Sequence, residues 1–74
     1  MGEERIEVFP NEMMARFWAG VLQEEGIPSV VKPQLGGYGM WGHDSFLPHG
    51  LYVTMEMAAQ ARELIAEGNE EPHL

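Results

Sequence analysis

The sequence predicts a small two-layer α+β domain with the element order β-α-β-β-α. Three observations lead there. Residues 5–9 alternate with period two, two later segments repeat their apolar residues every three to four positions, and two extended, β-branched segments punctuated by proline lie between those helical ones.

In Arg5-Ile6-Glu7-Val8-Phe9 the alternation puts Ile6 and Val8 on one face of a first strand, with Glu7 and Phe9 on the other. Pro10 ends the strand. Asn11 is placed to cap a helix by accepting a bond from a free backbone N–H, and Glu12 suits the positive end of that helix. Met13, Met14, Phe17, Trp18, Val21 and Leu22 then form a broad apolar stripe, predicting a helix over 12–25 with this stripe as its core face and Trp18 at the margin. Gly26 supplies the left-handed exit. A second strand follows over Ile27–Pro33, where Pro28 and Pro33 argue for a sheet edge because neither can donate to a ladder.

From Gln34 to Ser45 the chain holds Gly36, Gly37, Gly39 and Gly42 with Tyr38, Met40 and Trp41 among them, which predicts a loop with bulky apolar contents. Leu47–Val53 returns to extended character, with Leu51 and Val53 on one side and Tyr52 on the other. Thr54 is a candidate cap for a second helix whose apolar positions are Met57, Ala58, Ala61, Leu64 and Ile65 and whose end is marked by Gly68. Residues 1–68 make a single domain, and 69–74 read as a flexible tail. Inserting the third strand between the first two gives the sheet order 1-3-2, both helices on one face, and a ferredoxin-like sandwich lacking its fourth strand.

Composition narrows function mainly by exclusion. Twelve acidic against four basic side chains give a formal charge of −8, and Arg5, Arg16, Lys32 and Arg62 are scattered along the 74 residues. Nucleic acid and anionic membranes are poor partners for such a surface, because both are held by clustered lysine and arginine. The chain has no cysteine, so disulfides, thiolate nucleophiles and cysteine-based zinc sites are excluded. No apolar run approaches the roughly 18–20 residues of a membrane span, and the N-terminus lacks a signal-peptide pattern. A soluble, cytoplasmic protein is expected. A core of this size removes only about 60% of the unfolded chain's accessible surface, so help from a partner is also expected.

Three stretches carry a family resemblance. The helix and exit from Glu12 through Leu22-Gln23-Glu24-Glu25-Gly26-Ile27-Pro28, followed by Leu51-Tyr52-Val53-Thr54 and Ala61-Arg62-Glu63-Leu64, resemble the prokaryotic signal-transducing protein family, small bacterial domains of unknown function. The resemblance spans about residues 6–66 and implies a signalling role with no catalytic set to carry over. Thr54 stands where a proline often begins the second helix in that family, and the Tyr38–His43 loop looks individual to this chain.

His43-Asp44 with His49 is the one local cluster of metal-binding or catalytic types. Its spacing matches no helix face, and weak metal binding on a glycine-rich loop is the most it predicts. The carboxylate pairs Glu3/Glu4, Glu24/Glu25 and Glu70/Glu71 are sequence neighbours, so on a helix they splay apart instead of facing one another. Gly36-Gly37-x-Gly39 has no lysine or hydroxyl at phosphate-loop spacing. No catalytic residue and no cofactor are therefore predicted. Unclaimed apolar surface remains: Phe9, Val30 and Tyr52 on the open sheet face, together with Tyr38, Met40 and Trp41, are either an interface or are covered by their own loop. The expected function is a non-catalytic interaction or regulatory domain, pairing as a homodimer or with another protein. The alternative is a small-ligand or metal sensor built on residues 36–49.

Overall fold

The computed structural model describes residues 2–34 and 47–69. Strand β1 (Glu3–Phe9) leads to helix α1 (Glu12–Glu24), strand β2 (Val30–Pro33), strand β3 (His49–Thr54), a 3-10 turn over Met55–Met57 and helix α2 (Ala58–Asn69). The sheet runs β1-β3-β2 with both pairings antiparallel, the predicted insertion of the third strand between the first two. Most of the predicted loop, from 35 to 46, and the tail from 70 lie outside the described residues. Gln34 N–H donates to the Pro48 carbonyl at 2.8 Å where the chain leaves β2 and approaches β3.

Local chemistry explains the ends of α1. Asn11 is extended, and its side-chain oxygen accepts from the Met14 N–H at 2.9 Å, satisfying one of the free donors of the first turn. At the other end Gly26 takes φ 84°, which brings its N–H to the Gln23 carbonyl and the Ile27 N–H to the Leu22 carbonyl. This double closure buries Leu22 against the segment that follows, and both Leu22 and Ile27 are fully enclosed. Pro33 sits on the β2 edge, where its missing N–H removes no ladder bond to an outer strand.

The core is one cluster. Ile6, Phe9, Ile27, Leu51 and Val53 meet Ala15 and Leu22 of α1 and Ala58, Ala61 and Ile65 of α2, so both helices cover the same sheet face. Three expectations need correcting. Phe9 belongs to this core at 6% exposure, whereas Val8 stands out at 41%. Pairing runs Arg5 to Tyr52 and then Glu7 to Leu51, leaving Ile6 as an extra residue, and this bulge restarts the alternation so that Phe9 turns inward. Helix α1 is likewise turned about its axis. It buries Ala15 and Leu22, keeps Trp18 and Ala19 partly buried against the core, and exposes Met13, Met14 and Phe17. Finally, Thr54 makes no side-chain capping bond, the 3-10 turn begins the helical segment instead, and α2 continues through Gly68 to Asn69.

Candidate functional site

The open side of the sheet and the outer side of α1 are the two candidate binding faces, and the sequence points to the first. Cross-strand pairing places Arg5, Tyr52 and Val30 in one row and Val8, Gly50 and Lys32 in the next. Gly50 makes room there: a Cβ on it would lie 2.8 Å from Nε2 of Gln34 and 3.0 Å from Cε1 of Tyr52. Gln34 uses that space. Its Oε1 accepts from Arg5 at 2.6 Å, and its Nε2 donates to the Tyr52 hydroxyl and the Lys32 carbonyl, each at 3.1 Å.

Lys32 closes the network from the β2 side. Its ammonium donates to Glu3 at 2.8 Å and lies 4.5 Å from the centre of the Tyr52 ring. The Glu3 hydrogen bond holds the Lys32 ammonium above the ordinary lysine value, against a smaller opposing effect of lost hydration; the charges of Glu3 and Tyr52 add to the rise. Tyr52 is therefore roofed by polar groups, and Val30 and Val8 are its exposed apolar neighbours. The arrangement satisfies itself. Of the expected apolar set, Phe9 is in the core, Val30 and Tyr52 share this face, and Tyr38, Met40 and Trp41 lie outside the described residues.

The edges of the sheet are also blunted. Strand β1 brings Glu3, Glu4, Arg5 and Glu7 to one edge together with the bulge at Ile6, and β2 brings Pro33 to the other. Arg62 of α2 reaches across to Glu4 at 2.7 Å.

The outer face of α1 contrasts with all of this. Met13 is 77% and Phe17 61% exposed, with Met14 beside them. Phe17 stands edge-on to Trp18, ring centres 5.4 Å apart and planes at 86°, a favourable aromatic geometry. Trp18 in turn lies on Gly68 of α2, where an added Cβ would fall well inside van der Waals contact of the indole ring. The sequence signal for this surface was present in the apolar stripe of α1, but periodicity assigned that stripe to the core.

Of the metal candidates His43, Asp44 and His49, only His49 is among the described residues. His49 is 3% exposed, and its Nδ1 lies 2.7 Å from the Leu47 carbonyl, which as a pure acceptor assigns the ring proton to Nδ1. His43 and Asp44 lie outside the described residues. Among the described residues no group of three or more His, Asp or Glu side chains is placed to hold a metal ion. A concavity of about 630 Å³ at the sheet end, lined by Gly2, Glu3, Thr54, Met55 and Glu56, is open to solvent. No described helix is long and apolar enough to cross a membrane.

No protein-family model, curated protein or solved structure matches the chain.

Proposed function

We propose that the chain is a small non-catalytic interaction domain with a regulatory role, and that its contact surface is the outer face of α1. The observation that carries this reading is the exposed Met13, Met14 and Phe17 group, of which Phe17 stands edge-on to Trp18. Contiguous methionine and aromatic surface is what the buried centres of protein interfaces contain, and it has an unfavourable contact with water until something covers it. The resemblance to the prokaryotic signal-transducing family supports a regulatory role in a bacterial cell, and a cysteine-free chain suits the reducing cytoplasm. A two-fold homodimer is the second form this contact can take, because an exposed helix stripe can meet its own copy antiparallel.

Differential capture tests the reading. The full chain and its Phe17→Glu variant are used as paired baits in extract of the cell that expresses the protein, after circular dichroism has shown both to be folded. A protein retained by the unaltered chain and released by the variant is expected. Identical sets on both baits would overturn the assignment of α1 as the contact surface.

A further inference from the structure

Helix α1 has a second feature that packing among the described residues does not explain. Gly20 lies inside the helix and is exposed, its φ is not left-handed, and a Cβ added there meets nothing within 4 Å among the described residues. Neither backbone conformation nor packing against the described residues asks for glycine, yet glycine in a helix interior is less favourable than alanine by about 1 kcal/mol. With 3.6 residues per turn, Met13, Phe17, Gly20 and Glu24 fall within about 60° of one another, on the side opposite Ala15 and Leu22. The outward ridge therefore reads bulky, bulky, empty, acidic. An empty position between large side chains is where another backbone can approach closely.

Charge identifies what approaches. Among the described residues Arg16, Lys32 and Arg62 are already bonded to Glu12, Glu3 and Glu4, and Arg5 is bonded to Gln34. Glu24 and Glu25 close α1 at the negative end of its dipole, with no basic side chain in the last turn. A second copy carries the same net charge of −8 and is repelled as a whole, and an anionic membrane is repelled in the same way.

We propose that this ridge docks a cationic amphipathic helix of another protein. The helix crosses α1 at Gly20, lays its apolar side chains against Met13 and Phe17, and extends lysine or arginine toward Glu24 and Glu25. The proposal rests on the interaction-domain reading and adds the partner's chemistry. Phe17 is suited to the task because its packing on Trp18, itself seated on Gly68, limits its freedom before binding, so less side-chain entropy is lost at contact.

The test uses the full chain carrying Trp41→Phe, which leaves Trp18 as the one tryptophan of the two in the sequence. The probe is a synthetic lysine–leucine amphipathic peptide of about 18 residues with alanine at its central apolar position, and its control has glutamate in place of every lysine. Trp18 fluorescence follows binding, and circular dichroism verifies the fold of each variant. Saturable binding of the lysine peptide and none of the glutamate peptide are expected. Phe17→Glu is expected to weaken binding at least about tenfold even though it adds a negative charge. Gly20→Leu is expected to weaken it similarly while raising the thermal midpoint of the free domain, a combination that a merely structural role for Gly20 does not produce.

Several results overturn the proposal. Phe17→Glu binding the lysine peptide as tightly as the parent would reduce the contact to charge alone. Equal binding of both peptides would remove the cationic requirement while leaving the interaction reading standing, and binding of neither would remove the helical occupant. Concentration-dependent dimerisation of the free chain in sedimentation, abolished by Phe17→Glu, would make a second copy the occupant instead.

Discussion

The open face of the sheet and the outer face of α1 lie on opposite sides of the domain, and both meet solvent. They solve that exposure differently. On the sheet, Arg5, Gln34, Tyr52, Lys32 and Glu3 bond to one another across three strands, and Gly50 provides the floor on which the Gln34 amide rests. Donors and acceptors there are matched within the chain, so a partner would have to replace bonds already made. On α1 the exposed groups are Met13, Met14 and Phe17, which have nothing to lose but water. Aromatic content alone therefore does not locate an interface; what matters is whether the surface is already satisfied by its own chain.

Breaking the frame beneath both faces should have the largest effect. Leu22 is fully enclosed and closes the exit of α1 against Ile27, so Leu22→Ala should lower stability by about 2–5 kcal/mol in a denaturant titration. A loss below roughly 0.5 kcal/mol would place Leu22 outside the core. Next comes Gly68→Ala. On an ordinary exposed helix this change stabilises by up to about 1 kcal/mol, but here the new methyl group meets the Trp18 ring, and a loss of about 1–3 kcal/mol with a shift of Trp18 emission is expected. A stabilised protein with unchanged emission would show that Trp18 does not rest on Gly68, and the support claimed for Phe17 would go with it.

Gly50→Ala tests the opposite face. The added carbon pushes the Gln34 amide and the Tyr52 ring, separating Gln34 from Arg5 and the tyrosine hydroxyl, for an expected loss of about 1–2 kcal/mol in the same titration. Replacing Phe17 by serine should sharpen the contrast, because an exposed side chain can be removed with stability unchanged to within about 0.5 kcal/mol. A cost comparable to Leu22→Ala would move Phe17 into the core and end its candidacy as a contact residue.

The smallest expected effect is that of pH on the Lys32–Glu3 pair. Folding holds Lys32 above its ordinary value, so its contribution is complete at lower pH and is lost as pH rises through that raised value, above about 10.5. Urea midpoints measured from about pH 8 to about pH 11 should fall less steeply in Lys32→Met than in the parent. Identical slopes would mean that the pair contributes nothing to folding.

Much of the backbone was decided by local chemistry and is legible in the residues themselves. The Asn11 side-chain oxygen can accept from a free first-turn N–H, and it caps; Gly26 enters the left-handed region without strain, and α1 ends there; Pro28 and Pro33 argue against a central strand, and β2 is an edge. Those constraints, with the element order, led to the sheet order β1-β3-β2. The candidate site was less legible. Period-two alternation assumes an unbroken ladder, and the extra residue at Ile6, visible once Arg5 and Glu7 are paired to Tyr52 and Leu51, reversed Val8 and Phe9. Helical periodicity likewise gave the largest side chains to the core. Only packing against the sheet and α2 decided that the small Ala15 and Ala19, with Leu22, would face inward, while Trp18 turned onto the gap at Gly68. Hydrophobic spacing states which residues share a face, but which face turns inward depends on the shape of the space opposite, and that shape exists only once the other elements are in place.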